Sequence, residues 1–328
     1  MKPGTSPVRE SGESPLAGPA TGYLLLFAGM ALVGTYVALS RPLVAAVPIF
    51  LLAWLRFALA AVAMLPWLRR RAADAPIDAD IGRTLFAQSF FGNFLFSIFM
   101  LAGVARTSAT AAGLVLSLMP ATVALLSWLV LRERIDARVG VAIVLSGIGV
   151  GLLAGAGASP GGGAPDLAGH LLLLAAVGCE STYVVLGKRL TGRLSARRIS
   201  ALINLVGLAL MTPFGLWQAA SFDFSRLGAG EWALLVFYSL SASMFATWLW
   251  LAGLARVPAS RSGVFTIAMP LAASAVGIAW LGERPGLVHL VAFGCAAAAI
   301  ALVARASSAP YTRRPTGAGS TPETHPFD

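Results

Sequence analysis

The chain reads as an all-α polytopic membrane protein, with ten transmembrane helices arranged as two inverted five-helix repeats. Three observations lead there. First, 57% of the 328 residues are hydrophobic and 12% are charged, with a mean hydropathy of +0.79, whereas soluble domains carry roughly 25% charged residues. Second, apolar runs of about 20 residues, long enough to cross a bilayer as helices, recur along the chain. Third, one segment occurs twice. Leu101–Arg134 and Leu251–Arg284 align without a gap at an offset of 150 residues. Twelve of the 34 positions are identical, among them Gly103/Gly253, Arg106/Arg256, Gly113/Gly263, Met119/Met269, Pro120/Pro270 and Glu133/Glu283. Apolar composition alone does not reproduce matching Arg, Pro and Glu. Internal repeats of this kind are a mark of transporters.

Ten apolar runs cover residues 21–39, 46–68, 84–104, 108–131, 138–156, 167–187, 198–218, 231–252, 259–281 and 286–305. The Gly- and Pro-rich stretch 157–166 is read as a linker between a first repeat, 21–156, and a second, 167–305. Residues 1–20 and 306–328 are polar and Pro-rich, the composition of disordered tails, and no apolar core of a cleavable signal precedes the first run. Cys179 and Cys295 fall inside apolar runs and are expected to be buried free thiols, with neither a disulfide framework nor metal-ligand spacing.

Charge sets the expected orientation. With the N-terminus cytoplasmic, 19 Lys and Arg fall on the cytoplasmic side, four lie outside, and Arg56 sits within the second span. That bias places both termini in the cytoplasm and accounts for the net charge of +10 without a nucleic-acid partner. Five spans is an odd number, so the second repeat enters from the opposite side. Inverted repeats of this type alternate access around a site near the midplane, although channels share the symmetry.

The same offset pairs two polar stripes. Ser89, Asn93 and Ser97 recur four residues apart on span 3, and adding 150 gives Ser239, Ser243 and Thr247 on span 8. Four-residue spacing puts each set on one helix face, and polar faces turn away from lipid. Such stripes either line a cavity or join helices by hydrogen bonds. Pro120 and Pro270 fall mid-span and are candidate kinks or gating hinges, or else static packing elements. Met119 and Met269 precede them and either contact a solute or fill core. Tyr36, Tyr183, Tyr238 and Trp248 join ring faces to polar tips, which suits an amphipathic or ring-bearing solute. Trp67, Trp217 and Trp232 lie near span ends and fit the interfacial belt. Glu180, deep in span 6, is a candidate for a substrate ammonium or a proton, and alternatively a structural partner of Arg56 or a protonated, hydrogen-bonded acid. Arg56 is also readable as a clamp on carbonyls or a snorkelling side chain. Gly147, Gly151 and Gly155 form a small-residue ridge, with Ala297 and Ala301 following at the same offset, suited to close packing within the chain or across a homodimer.

Ten spans in two inverted halves, the stretch WLRFALAAV at Trp54–Val62, and the paired Gly…Met-Pro…Glu-Arg segments ending spans 4 and 9 resemble the drug/metabolite transporter superfamily, in particular its EamA-type members. The resemblance covers roughly residues 21–305. It implies a central cavity lined by spans 1, 3, 4, 6, 8 and 9, and solutes ranging over amino acids, sugars, nucleotide sugars and drugs. Phosphate-bearing solutes demand several cationic groups. Arg56 is the one basic residue near the middle of a span, on a span not expected to face the cavity. A neutral or zwitterionic metabolite fits better, first an aromatic or other neutral amino acid exported as by the YddG-like members, and next a hydrophobic or cationic drug. An enzyme is disfavoured: His170 and His289 stand alone at span entrances, Glu180 has no partner carboxylate, and no phosphate-cradling loop appears. No cofactor or metal is expected. The membrane predicted is the bacterial inner membrane.

Overall fold

The computed structural model describes residues 18–39, 43, 46–106, 115, 118–133, 135–156, 167–280 and 286–306. The linker and almost all of both expected tails lie outside these residues. Pro19, Ala20 and Ala306 were expected in the tails but are helical.

The described residues form ten helical spans. Span 1 is α1 (Pro19–Leu39) and span 2 is α2 (Ile49–Ala63), which ends in a 3-10 turn, Leu65–Leu68. Span 3 is α3 (Ala79–Ser89), a π-helical turn (Phe90–Leu95) and α4 (Phe96–Arg106). Spans 4 to 7 are α5 (Met119–Leu131), α6 (Ala137–Ala156), α7 (Leu167–Thr191) and α8 (Ala196–Ala219). Span 8 is α9 (Ala229–Ser239), a second π-helical turn (Leu240–Ala246) and α10 (Thr247–Leu254). Span 9 is α11 (Ala259–Ser262), a 3-10 turn (Gly263–Ile267) and α12 (Ala268–Trp280), and span 10 is α13 (Leu287–Ala306). Among the described residues, four continuous stretches are long and apolar enough to cross a membrane, namely Pro19–Tyr36, Leu167–Thr191, Ala196–Ala219 and Ala229–Leu254. Local chemistry starts two of the helices. Asp78 accepts the Ile81 N–H at 2.8 Å ahead of α3, and Glu231 accepts the Gly228 N–H at 3.0 Å ahead of α9, each satisfying a backbone donor near a helix start.

Helix packing obeys the repeat. α1 packs on α10 and α12, elements of spans 8 and 9, while α7 packs on α4 and α5, the equivalent elements of spans 3 and 4. Each repeat therefore lodges its first helix in the other repeat. Spans 2 and 7 (α2 and α8) pack on each other, as do spans 5 and 10 (α6 and α13). Equivalent helices touch each other only about a shared two-fold axis, so these pairs locate it. One identical residue pair has a matching task in both halves. A Cβ on Gly253 would lie 2.8 Å from the Gly22 carbonyl of α1, and one on Gly103 would lie 2.8 Å from Leu173 Cγ of α7. Glycine permits both crossings.

Leu24, Val62, Leu125, Trp128, Val144, Leu174 and Leu290 are exposed. So wide an apolar perimeter calls for lipid. The tight glycine contact of α6 falls at Gly149, where a Cβ would meet Ile267 Cδ1 at 2.7 Å and Cys295 Cβ at 3.4 Å. Gly147 and Gly151 of the expected ridge are half-buried, because Val139, Ala142, Ile143 and Ser146 turn the inward face of α6 toward Gly149. Cys179 is buried, whereas Cys295 is half-buried, contrary to the expectation for it.

Candidate functional site

The two π-helical turns begin at Phe90 and Leu240, positions related by the 150-residue offset. Each inserts extra backbone into a span at the level of the polar stripe, and such turns are frequent at functional sites. Asn93 lies in the first and Ser243 in the second. These two repeat equivalents line one small void of about 30 Å³, together with Arg56, Phe57, Ser200, Ile203, Asn204, Ala242 and Thr247. Two equivalent residues reach one space only near the pseudo-two-fold axis. In an inverted repeat a site on that axis serves both membrane faces.

The polar groups around the void are unevenly satisfied. Asn93 Nδ2 donates to Ser89 Oγ at 3.2 Å, and Ser89 Oγ donates to the Ile203 carbonyl at 2.9 Å. Thr247 Oγ1 donates to the Ala242 carbonyl five residues back, at 3.1 Å, and Asn204 Nδ2 donates to the Phe57 carbonyl at 2.9 Å. Arg56 Nε, Asn204 Oδ1 and Ser243 Oγ are buried without a hydrogen-bond partner among the described residues. The Arg56 guanidinium lies over the Phe57 ring, 4.4 Å from its centroid, and 5.9 Å from that of Tyr238. Arg56 therefore reaches inward from span 2, a span expected to stand aside. Its length carries the charge past Phe57 to the axis. Asn204 was not foreseen either, although a lone amide in the apolar run ALINLVGLAL is a signal of an inward-facing polar group.

Beside the void stands a tyrosine cluster. Tyr36 is 9% exposed and meets the Tyr238 ring edge-to-face at 5.4 Å. Arg56, Tyr238 and Glu180 lie within electrostatic range of Tyr36, and Glu180 and Tyr36 within that of Tyr183. Thr35 and Thr182, which precede Tyr36 and Tyr183, each donate to the carbonyl four residues back, so the two Thr-Tyr pairs share a local geometry. No ion pair joins Glu180 to Arg56 among the described residues.

Other candidates lie elsewhere. Ser239 Oγ donates to the Leu235 carbonyl of its own helix. The side chain of Ser97 lies outside the described residues. Trp248 stands 6.2 Å from Trp67, with the Arg197 guanidinium over both rings. It belongs to the end of the bundle that holds the termini, apart from the tyrosines. Trp217 and Trp232 are exposed, as expected of an interfacial belt. Met119 is buried in the main apolar cluster, and Met269 is half-buried. Pro120 occupies the first turn of α5, against Gly263, where a Cβ would lie 3.1 Å from Pro120 Cα. Pro270 occupies the first turn of α12, and its side chain is outside the described residues. Pro120 follows a turn at Leu118, and Pro270 follows directly on the 3-10 turn Gly263–Ile267; in the first turn of an α-helix a missing N–H costs little.

The two ends of the bundle differ. At the end holding the termini, Glu133 accepts the Ala259 and Ser260 N–H groups at 2.9 and 2.8 Å. Lys188 Nζ donates to the Leu254 and Val257 carbonyls, and Arg193 binds Asp78 and Asp80, each at 2.6 Å. At the opposite end a cleft of about 760 Å³ opens between Ala46–Phe50, Ile98, Ala102, Gln218, Phe222 and Arg226. None of the residues expected to bind solute lines it. Ile98 and Phe50 stand five and six residues beyond Asn93 and Arg56 on the same spans. At helical rise that is about 7–9 Å nearer the open end, so the cleft leads toward the void.

The EamA-like transporter family matches residues 20–155 and again residues 167–305. The chain belongs to this family. Its EamA-like relatives include a Bacillus subtilis (strain 168) protein described as "Uncharacterized transporter YetK", 35% identical over 276 residues, which are 83% of each chain. An uncharacterized transporter of Archaeoglobus fulgidus is 25% identical over 223 residues, 67% of this chain and 77% of that one. One crystal structure superposes with a TM-score of 0.72 at 21% identity, covering 88% of this chain and 98% of the other, a likeness of fold. The protein is a multi-pass membrane transporter.

Proposed function

We propose that the protein is a secondary carrier that exports small neutral or zwitterionic metabolites, first among them aromatic and other neutral amino acids. It would work by alternating access around the void on the pseudo-two-fold axis, in a bacterial inner membrane with both termini cytoplasmic. One observation carries the solute class. Arg56 and Glu180, side chains of opposite charge type, stand mid-span and enter no ion pair among the described residues, and both lie within electrostatic range of Tyr36. Each costs about 2.5–3.5 kcal/mol at a helix centre on insertion scales. A zwitterion supplies a counter-charge to both, and tyrosine rings accept its side chain. A phosphate-bearing solute is disfavoured by the lone guanidinium.

Counter-flow in proteoliposomes tests the reading, with radiolabelled aromatic, neutral and charged amino acids, a sugar and a cationic drug. Saturable, trans-stimulated movement of tryptophan, phenylalanine or another neutral amino acid is the expected result. Movement of the drug or the sugar in place of amino acids overturns the solute class and leaves the carrier. Flux without saturation or trans-stimulation replaces the carrier with a channel.

A further inference from the structure

The void between Arg56, Asn204 and Ser243 holds an inventory of unused hydrogen-bonding atoms. Asn204 is 2% and Ser243 6% exposed, yet among the described residues Asn204 Oδ1 and Ser243 Oγ have no partner, nor does Arg56 Nε. Buried polar atoms left open cost free energy unless something fills them. Two of the three, the guanidinium N–H and the hydroxyl, offer donors, and the third is an acceptor. The guanidinium carbon stands over the Phe57 and Tyr238 rings, and the N–H edge of a guanidinium suits a planar acceptor. None of the ion pairs formed by the described residues includes Arg56. The space, about 30 Å³, accommodates roughly two water-sized groups, the size of a carboxylate head and too small for a side chain.

We propose that this void seats the carboxylate of the transported solute, with Arg56 and Ser243 as its donors. The acceptor Asn204 Oδ1 then faces the N–H side of the same head group. An α-amino acid carries both features on one carbon, whereas an amine or a simple carboxylic acid carries one. Asn93 and Ser243 are equivalents across the repeat, so the seat lies where both halves meet. Its charge, however, comes from one half alone, because Arg56 is the one basic residue among those that line the void. The head group is therefore held in one orientation while the halves rock around it. The larger cleft beyond Phe50 and Ile98 receives the solute side chain or admits the solute head-first.

This assignment rests on the amino-acid reading above, and its test separates the two. Purified full-length protein is reconstituted, and tryptophan counter-flow is measured for the wild type, Arg56→Gln, Arg56→Lys and Ser243→Ala. Tryptamine and indole-3-propionate serve as competitors. Arg56→Gln is expected to raise the tryptophan KM about 10- to 100-fold, the range for losing a charge-assisted hydrogen bond. Competition by indole-3-propionate should be lost and competition by tryptamine retained. Ser243→Ala, which removes only a hydroxyl, should raise KM about 3- to 10-fold, so the test stands even if Arg56→Gln does not assemble. Arg56→Lys should recover part of the loss, since a point charge replaces a planar fork. A wild type that moves no amino acid removes the solute class and this assignment together. A wild type that moves tryptophan, with KM unchanged in Ser243→Ala and in whichever Arg56 variant assembles, overturns this assignment alone and leaves the void to water. Wild-type transport that requires chloride and carries tryptamine as well as tryptophan gives the seat to an inorganic anion and also overturns it.

Discussion

A methyl group at Gly92 has no room. Built on the backbone there, a Cβ would lie 2.7 Å from both Cβ and Cγ of Tyr183, atoms near the backbone of α7 that cannot swing aside. Gly92→Ala should therefore destabilise the protein by about 1–3 kcal/mol, the range for overpacking, and displace Tyr183 from its cluster. Gly82→Ala is the control, because nothing lies within 4 Å of a Cβ there and helix propensity favours alanine by about 0.5–1 kcal/mol. Melting of the two variants in detergent should move in opposite directions; equal shifts would mean that the packing at Gly92 is looser than the distances say. Residues such as Tyr36, Tyr183, Asn93 and Ser243 were legible in the sequence because the 150-residue offset or a matching Thr-Tyr pair singles them out. Arg56 and Asn204 carry no such mark: the residues 150 positions away are Val206 and Trp54, and only the crossing of spans 2 and 7 brings them together. Trp248 shows the opposite case. Its ring and polar tip suit a solute, but its depth along span 8 places it beside Trp67, 181 residues away in sequence.

Among the elements, the loop between α2 and α3 is fixed to the start of α8 by one carboxylate. Asp74 is 3% exposed. It accepts the Arg71 N–H at 2.9 Å and the Ser195 N–H at 2.6 Å, and Arg198 stands 3.7 Å away. Burial pushes its carboxyl upward, but these bonds and the Arg198 charge outweigh burial and hold it below the usual carboxylate range. A depressed native value stabilises the fold above the unfolded value of about 3.9. That contribution is lost as pH falls through the native value. Asp74→Asn should therefore cost about 1–3 kcal/mol at neutral pH and flatten the fall in melting temperature below about pH 4. Parallel pH profiles for wild type and variant would remove Asp74 from acid unfolding. At this scale the sequence showed ten spans and their pairing, since length and hydropathy determine what can cross a bilayer. It did not show the π-helical turns. In spans this apolar, one inserted residue shifts the phase by a third of a turn without breaking a hydrophobic pattern. The 3-10 turn ahead of Pro270 was hidden likewise, because a proline in a first turn and one that kinks a helix look alike in sequence.

For the whole molecule, the difference between its two ends makes a statement about populations. Glu133, Lys188 and Arg193 hold spans 3, 4, 6, 8 and 9 together at the end that carries the termini, while the cleft of about 760 Å³ lies at the other. Bonds made only in this arrangement bias the carrier toward it, by an amount set by their difference between states. Glu133 is the sharpest case, since its carboxylate closes on two backbone donors of α11, and hydrogen bonds to charged groups contribute about 1.5–3 kcal/mol. Glu133→Ala should shift the equilibrium by about 10- to 100-fold toward the arrangement open at the terminal end. The readout is a cysteine at Ala102, in the wall of the cleft, in a background lacking Cys179 and Cys295. An impermeant maleimide applied to intact cells should label it readily, which also places the cleft outside and the termini inside. Adding Glu133→Ala should slow that labelling at least several-fold while labelling at Ser260→Cys, measured in inverted vesicles, rises. If both rates stay fixed while the protein remains folded, the carboxylate is a static cap and the asymmetry of the two ends is not a gate. Labelling of Ala102→Cys from inverted vesicles alone would reverse the orientation drawn from the charge bias, while leaving the two-ended logic intact.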